Sequence, residues 1–125
     1  MSKKVVHSNS QDLLDQIVFA MQDKKARNII SLDLNNIPDA IANYFVICHA
    51  PSSTQVDAIY DNVIDMVQKN CDTKPFHREG NANSEWILID YFDIVVHIFK
   101  EDIRNFYKLE QLWADAKLKG YESEK

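Results

Sequence analysis

The sequence predicts an α/β fold, a single domain in which a mixed sheet of about five strands has helices on its faces. Helix-like and strand-like apolar patterns alternate early in the chain, which is typical of strands joined by helices. Two strand patterns then follow each other almost directly near residue 91, which indicates an antiparallel hairpin. A length of 125 residues suits one domain. We therefore expect a sheet that contains both strand directions.

Two helices are indicated by capping signals followed by apolar residues at helical spacing. Ser8 and Gln11 have the separation of a capping box, and Ser52 and Gln55 repeat it. The stripes expected to be buried are Leu13, Leu14, Ile17 and Met21 in the first helix and Val56, Ile59, Val63 and Val67 in the second. A third helix is expected over residues 101–118.

Five segments have strand character. They are NIISLDL (28–34), YFVICHA (44–50), KPFHREG (74–80), EWILID (85–90) and DIVVHIF (93–99). The second is almost continuously apolar, so we expect a central strand that is covered on both faces. The last two form the hairpin. We expect a folded domain over 8–118, between a flexible N-terminus (1–7) and a flexible polar tail (119–125).

The composition of the chain indicates which type of partner it binds and in which compartment it is located. With 14 basic and 19 acidic side chains the net charge is −5, so the chain is poorly suited to grip a phosphate backbone, and a basic protein fits better. The N-terminus lacks the apolar core of a secretory signal, and no apolar run approaches the roughly 20 residues that span a bilayer. Cys48 and Cys71 form no CxxC pair. We expect a cytoplasmic protein without a membrane partner.

Cofactor motifs are absent from the sequence. The chain has two glycines, Gly80 and Gly120, which excludes the glycine-rich loops of the dinucleotide fingerprint and the P-loop. The four histidines show no HxxxH or His-Cys clustering, so a metal site is not indicated. We expect no cofactor and no metal.

Asp90, Asp93 and His97 are the candidates for chemistry. Carboxylates inside apolar segments need a partner or a task, and a pair of them can hold Mg²⁺ or divide acid and base roles. The alternative is that the two aspartates end strands because they favour turns, and that His97 is a hydrogen-bonded strand residue.

Aromatic residues near the C-terminus favour a binding surface. Trp86 opens the hairpin, and Tyr107 and Arg104 are expected to project from the last helix, because Trp, Tyr and Arg often anchor protein interfaces. On the same helix, core packing is expected for Phe106, Leu109 and Leu112.

Three segments give the chain a resemblance to a known family. DKKARNIISLDL, YFVICHAPSSTQV and EWILIDYFDIVVHIFKEDIRNFYKLEQLW resemble the ribosomal silencing factors, also called Iojap-like proteins, from about Asp12 to Trp113. The resemblance implies docking on the large ribosomal subunit through its ribosomal protein number fourteen. It further implies that the bound protein sterically keeps the small subunit from joining and so lowers translation when nutrients are short. The implied fold is similar to that of nucleotidyltransferases, although family members are not known as transferases.

The resemblance also implies which residues bind the partner. By position in the family pattern these are Trp86, Asp90, Asp93, His97, Arg104, Tyr107 and Glu110, with Trp86 the strongest single candidate. Two departures stand out. Phe92 occupies a place where the family usually has glycine, so a turn that requires positive φ would be strained there. Residues 50–53 lack the Gly-Ser that transferases of the parent fold need, which counts against an enzyme.

Two other readings stay open at this point. One is a minimal nucleotidyltransferase or metal-dependent phosphotransfer enzyme that uses Asp90 and Asp93. The other is a homodimer that forms through exposed aromatic side chains of the hairpin or the last helix, and it is compatible with ribosome docking.

Overall fold

The computed structural model describes residues 10–80, 83–103 and 116–122. Its elements, in chain order, are α1 (Ser10–Asp23), β1 (Arg27–Asp33), β2 (Tyr44–Ala50), α2 (Ser53–Cys71), β3 (His77–Gly80), β4 (Trp86–Asp90), β5 (Ile94–Lys100) and β6 (Lys117–Tyr121). Residues 101–103 are helical, at the start of the predicted third helix, and residues 104–115 lie outside the described part. Neither α1 nor α2 is long and apolar enough to cross a membrane.

The strands form one mixed sheet in the order β3-β4-β5-β2-β1-β6. β2 and β5 are parallel, and every other pair of neighbours is antiparallel. The predicted α/β fold with a mixed sheet and the predicted β4–β5 hairpin are therefore confirmed. β2 lies at the centre and is buried along almost its whole length, as its apolar sequence predicts.

The sheet has six strands where the sequence predicts five. Residues 117–118, predicted as the end of the last helix, and residues 119–121, predicted as tail, form β6 beside β1. This strand is held by backbone pairing and by a 3.0 Å hydrogen bond between the hydroxyls of Tyr121 and Ser31. Its side chains are mostly exposed and polar, so KLKGY lacks the apolar alternation that marks a strand in sequence.

Both described helices pack on the same face of the sheet. Their apolar stripes bury against the alternate residues of β2, β4 and β5 that point to that side, including Val46, Ile89 and Val96. The predicted stripe of α2 is confirmed as buried. Ser52 caps α2 by accepting the backbone N–H of Gln55 at 3.2 Å, as predicted.

A second apolar cluster covers the opposite face of the sheet. It contains buried residues of β1, β2 and β5, and Trp86 and Leu88 of β4 pack against it. Strand alternation alone decides this division, because side chains two residues apart point to the same face. Trp86 and His97 consequently lie on the face that α1 and α2 leave free.

Candidate docking surface

Four of the seven predicted binding residues lie on the β4–β5 hairpin. Trp86 and His97 are on strands, with Trp86 paired to Phe99 and His97 paired to Leu88 across the hairpin. Asp90 ends β4, and Asp93 precedes β5. The other three predicted residues, Arg104, Tyr107 and Glu110, lie outside the described residues. The hairpin thus offers two separate features: an aromatic face in its middle and a turn at its tip.

The aromatic face is built around Trp86. Its ring lies nearly parallel to those of Phe99 and His97, with centroid separations of 5.6 Å and 6.1 Å. The indole N–H donates to Nδ1 of His97 at 3.3 Å. Trp86 is half-buried, and with Glu79, Gly80 and Leu88 it lines a groove of about 240 Å³. Trp86 therefore combines a packing role with a surface that remains accessible.

His97 is a neutral, buried member of this face. Its side chain is 4% exposed, and burial lowers its pKa from 6.5 to about 4. Phe45 packs against the ring edge-on, with centroids 4.9 Å apart. Because Nδ1 accepts the Trp86 N–H, the ring proton is on Nε2, which has no hydrogen-bond partner among the described residues. The imidazole is therefore uncharged near neutral pH and fixes the orientation of Trp86.

The tip of the hairpin is a tight turn that uses the carboxylate of Asp90. This carboxylate accepts the backbone N–H of Phe92 at 2.7 Å, and the N–H of Asp93 donates to the carbonyl of Tyr91 at 3.0 Å. The second bond closes a three-residue γ-turn, and its central residue, Phe92, has φ 79°. The turn does require positive φ, so Phe92 is in the strained region that a glycine would occupy without cost.

An exposed pair of aromatic side chains lies at this tip. Phe92 is 69% exposed and Phe76 is 70% exposed, and their rings stack with centroids 5.0 Å apart and planes 8° from parallel. The backbone N–H of Phe76 donates to the carbonyl of Asp90 at 2.7 Å, which holds the segment before β3 against the turn. The sequence does not single out Phe76, because the pair forms only when β3 lies beside β4.

Two of the three candidates for chemistry, Asp90 and His97, have structural roles in the hairpin. Asp90 and His97 lie on one face of the hairpin in successive cross-strand pairs, Asp90 with Val95 and His97 with Leu88, and the carboxylate of Asp90 is engaged in the turn. Within residues 10–80, 83–103 and 116–122, no group of three or more His, Cys, Asp or Glu side chains is placed to hold a metal ion. For the carboxylate of Asp90, the alternative of a turn residue is confirmed.

At the opposite end of the sheet, one carboxylate lies near a guanidinium and an imidazole. The carboxylate of Glu101 lies 3.8 Å from Nε2 of His49 and 3.6 Å from the guanidinium of Arg27. In the loop before α2, the hydroxyl of Ser52 accepts the N–H of Gln55 as a helix cap. These contacts give Glu101 and Ser52 structural partners among the described residues.

The chain is similar in sequence to a known protein family and to several named proteins. A family model described as ribosomal silencing factor during starvation matches residues 7–125. The ribosomal silencing factor RsfS of Bacillus subtilis is 39% identical over 110 residues, which cover 88% of this chain and 92% of that protein. A mouse protein named mitochondrial assembly of ribosomal large subunit protein 1 is 25% identical over 111 residues, covering 86% of this chain and 47% of the mouse protein.

The fold is also similar to that of solved structures. A crystal structure of a Chromobacterium violaceum protein superposes with a TM-score of 0.79 at 27% sequence identity, covering 86% of this chain and 88% of that one. The match to the family model extends over nearly the whole sequence, including the hairpin and everything that flanks it. The chain belongs to the family of ribosomal silencing factors that act during starvation.

Proposed function

We propose that this protein represses translation by docking on the large ribosomal subunit, through ribosomal protein number fourteen, and sterically preventing the small subunit from joining. Membership of the silencing family supports the repressor role, and the name of the mouse relative supports the large subunit as the place of action. The protein acts in the cytoplasm, under nutrient limitation and without catalysis. Ribosomal protein number fourteen is proposed as the receptor because the sequence of the hairpin block resembles that of the family.

The physical property that supports a protein receptor is charge. The chain carries −5, so a basic ribosomal protein attracts it, whereas ribosomal RNA repels it. Complementary charge raises the rate of encounter and sets the orientation more than it raises affinity. Affinity then has to come from an apolar anchor, and Trp86 combines a large ring with a position beside an open groove.

The proposed contact residues share the hairpin and the segment that follows it. They are Trp86, Asp90, Asp93, His97, Arg104, Tyr107 and Glu110. Within this set His97 is a positioning residue, because its buried ring meets the indole of Trp86 rather than the solvent. Asp90 has a similar task, since its carboxylate holds the turn from which Phe92 and Asp93 project.

Titration calorimetry with purified ribosomal protein number fourteen tests this proposal. We expect the wild-type protein to bind, and Trp86→Ala to weaken binding by roughly 2 kcal/mol or more, about thirtyfold. Phe19→Ala is the matched control, because Phe19 is a half-exposed aromatic on α1, on the other side of the sheet.

The thermal stability of the same variants separates an anchor from a core residue. If Trp86→Ala lowers Tm but binds as the wild type does, Trp86 is a core residue and another side chain is the anchor. If the wild-type protein does not bind the fourteenth protein but does bind whole large subunits, the receptor is a different one.

A further inference from the structure

We infer that the tip of the hairpin is a second docking point, which receives a basic protein segment bearing an apolar side chain. The surface, here called the tip patch, consists of Ile41, Phe76 and Phe92 with the carboxylates of Asp39 and Asp93. This inference rests on the proposed function, because it adds a contact to the same encounter with the large subunit. It assigns a binding role to three apolar residues outside the set proposed above.

Hydrogen bonds bring the three segments of the tip patch together. The carbonyl of Asp93 accepts the N–H groups of Asn43 and Tyr44 at 2.7 Å and 3.1 Å, which places the 34–43 loop beside the turn. Within that loop Ile41 is 75% exposed. On the other side of the turn, the bond from Phe76 to the carbonyl of Asp90 fixes the 74–76 segment. The apolar side chains are thus presented on backbone that is pinned to the sheet.

The exposed apolar area is unusual for a side-chain pair that has no structural task. A Phe side chain offers about 150–250 Å², so the two rings, each about 70% exposed, leave on the order of 250 Å² in water. Ile41, on the loop beside the turn, is a further exposed apolar side chain, and exposed apolar patches of a few hundred Å² in soluble proteins often mark an interaction site. Solvent-facing rings that already stack on each other are also pre-ordered, which reduces the entropy lost on binding.

Backbone strain points to the same place. Phe92 has φ 79°, where a bulky residue is disfavoured and glycine is not. Its ring lies mainly in solvent, so the fold gains little from it. Strained residues of this kind are concentrated at functional sites, where the interaction they provide offsets the strain. Asp39 also has positive φ, at 64°, a conformation that Asp and Asn tolerate better than most residues.

Charge decides which partner the tip patch fits. The segments 34–43, 74–76 and 90–93 contain three aspartates and one lysine, Lys74, so their net charge is −2. A two-fold contact between copies of this chain would place the negative patch against itself. Nucleic acid would be repelled by the same charge. A protein surface with Lys or Arg next to an apolar side chain is complementary to both the exposed rings and the negative charge of the tip patch.

The test is the affinity of purified large ribosomal subunits for the full chain and its variants, measured by co-sedimentation. We expect Phe76→Ala combined with Phe92→Gly to weaken binding at least fivefold, while Phe19→Ala leaves it unchanged. Phe92→Gly removes the ring and also removes the strain of a bulky residue at positive φ. A loss of binding by this variant therefore cannot be attributed to unfolding. Its Tm is expected to stay within a few degrees of wild type.

A second pair of variants tests the charge of the tip patch. Asp39→Asn keeps a side chain that tolerates positive φ and removes one carboxylate. We expect it to bind about two- to threefold more weakly at low salt and to depend less on salt, whereas Asp65→Asn, an exposed change on α2, has no effect.

The outcomes separate this inference from the proposed function. If the wild-type protein does not bind large subunits, the proposed function fails. If it binds and the double variant binds equally well, the tip patch is not a docking point and the proposed function stands. A wild-type dimer that the double variant loses would make the patch a contact between copies. Binding of protein-free large-subunit RNA that depends on the patch would make nucleic acid the occupant. Either result overturns the inference.

Discussion

The backbone at Phe92 predicts an inverted order of stability for two simple substitutions. In ordinary secondary structure, alanine is more stable than glycine by about 0.5–1 kcal/mol. At φ 79° an alanine retains the steric conflict of its Cβ, which costs roughly 1–2 kcal/mol, and glycine does not. Both variants lose the stacked ring, so the difference between them isolates the backbone. We expect Phe92→Gly to be more stable than Phe92→Ala by about 1 kcal/mol.

Urea unfolding followed by far-ultraviolet circular dichroism measures this difference. With a slope of about 1–3 kcal/mol/M, the midpoint of the glycine variant should lie roughly 0.3–1 M above that of the alanine variant. The control is the same pair at Phe19, inside α1, where alanine should be the more stable by about 1 kcal/mol. An alanine variant at position 92 that equals or exceeds the glycine variant would show that Phe92 carries no backbone strain.

Three further predictions concern buried groups and a helix cap. Burial lowers the pKa of His97 from 6.5 to about 4, so between these pH values the imidazole is protonated in the unfolded chain and neutral in the folded chain. The neutral His97 therefore adds about 3 kcal/mol to the free energy of unfolding above pH 6.5, and this contribution is lost as the pH falls to about 4. His97→Gln should make the free energy of unfolding, measured by urea titration, depend less on pH in this range. Burial raises the pKa of Tyr91, and its hydroxyl has no partner among the described residues, so Tyr91→Phe should leave the free energy of unfolding unchanged or raise it by up to about 1 kcal/mol; a larger loss would reveal a partner. Ser52→Ala should cost about 1 kcal/mol of stability through loss of the α2 cap, and an unchanged urea midpoint would contradict that role.

The parts of the fold that the sequence predicts are those with a strong apolar period. α1, α2 and β2 bury whole stripes or faces, and burial leaves a pattern that can be read one residue at a time. β6 lacks such a pattern because it is an exposed edge strand that is stabilised by backbone bonds to β1. Its existence depends on a neighbour 90 residues away, as the bond between Tyr121 and Ser31 shows.

The same distinction applies to the docking surface. Strand alternation places Trp86 and His97 on one face, and two aspartates around a tight turn are visible in DYFD itself. The unusual residue in the turn, Phe92, stands out because the family resemblance implies a glycine at that position. Phe76 does not stand out, since its stacking partner is reached only through the pairing of β3 with β4. Contacts between segments that are distant in sequence have no local signature.

Subunit joining is the most direct measurement of the central claim that this protein silences ribosomes by occupying the large subunit. Purified large and small subunits are mixed with and without the protein and separated on a sucrose gradient. We expect the protein to sediment with the large subunit and the joined peak to shrink as its concentration rises. A joined peak of unchanged size, with the protein left at the top of the gradient, would contradict the claim.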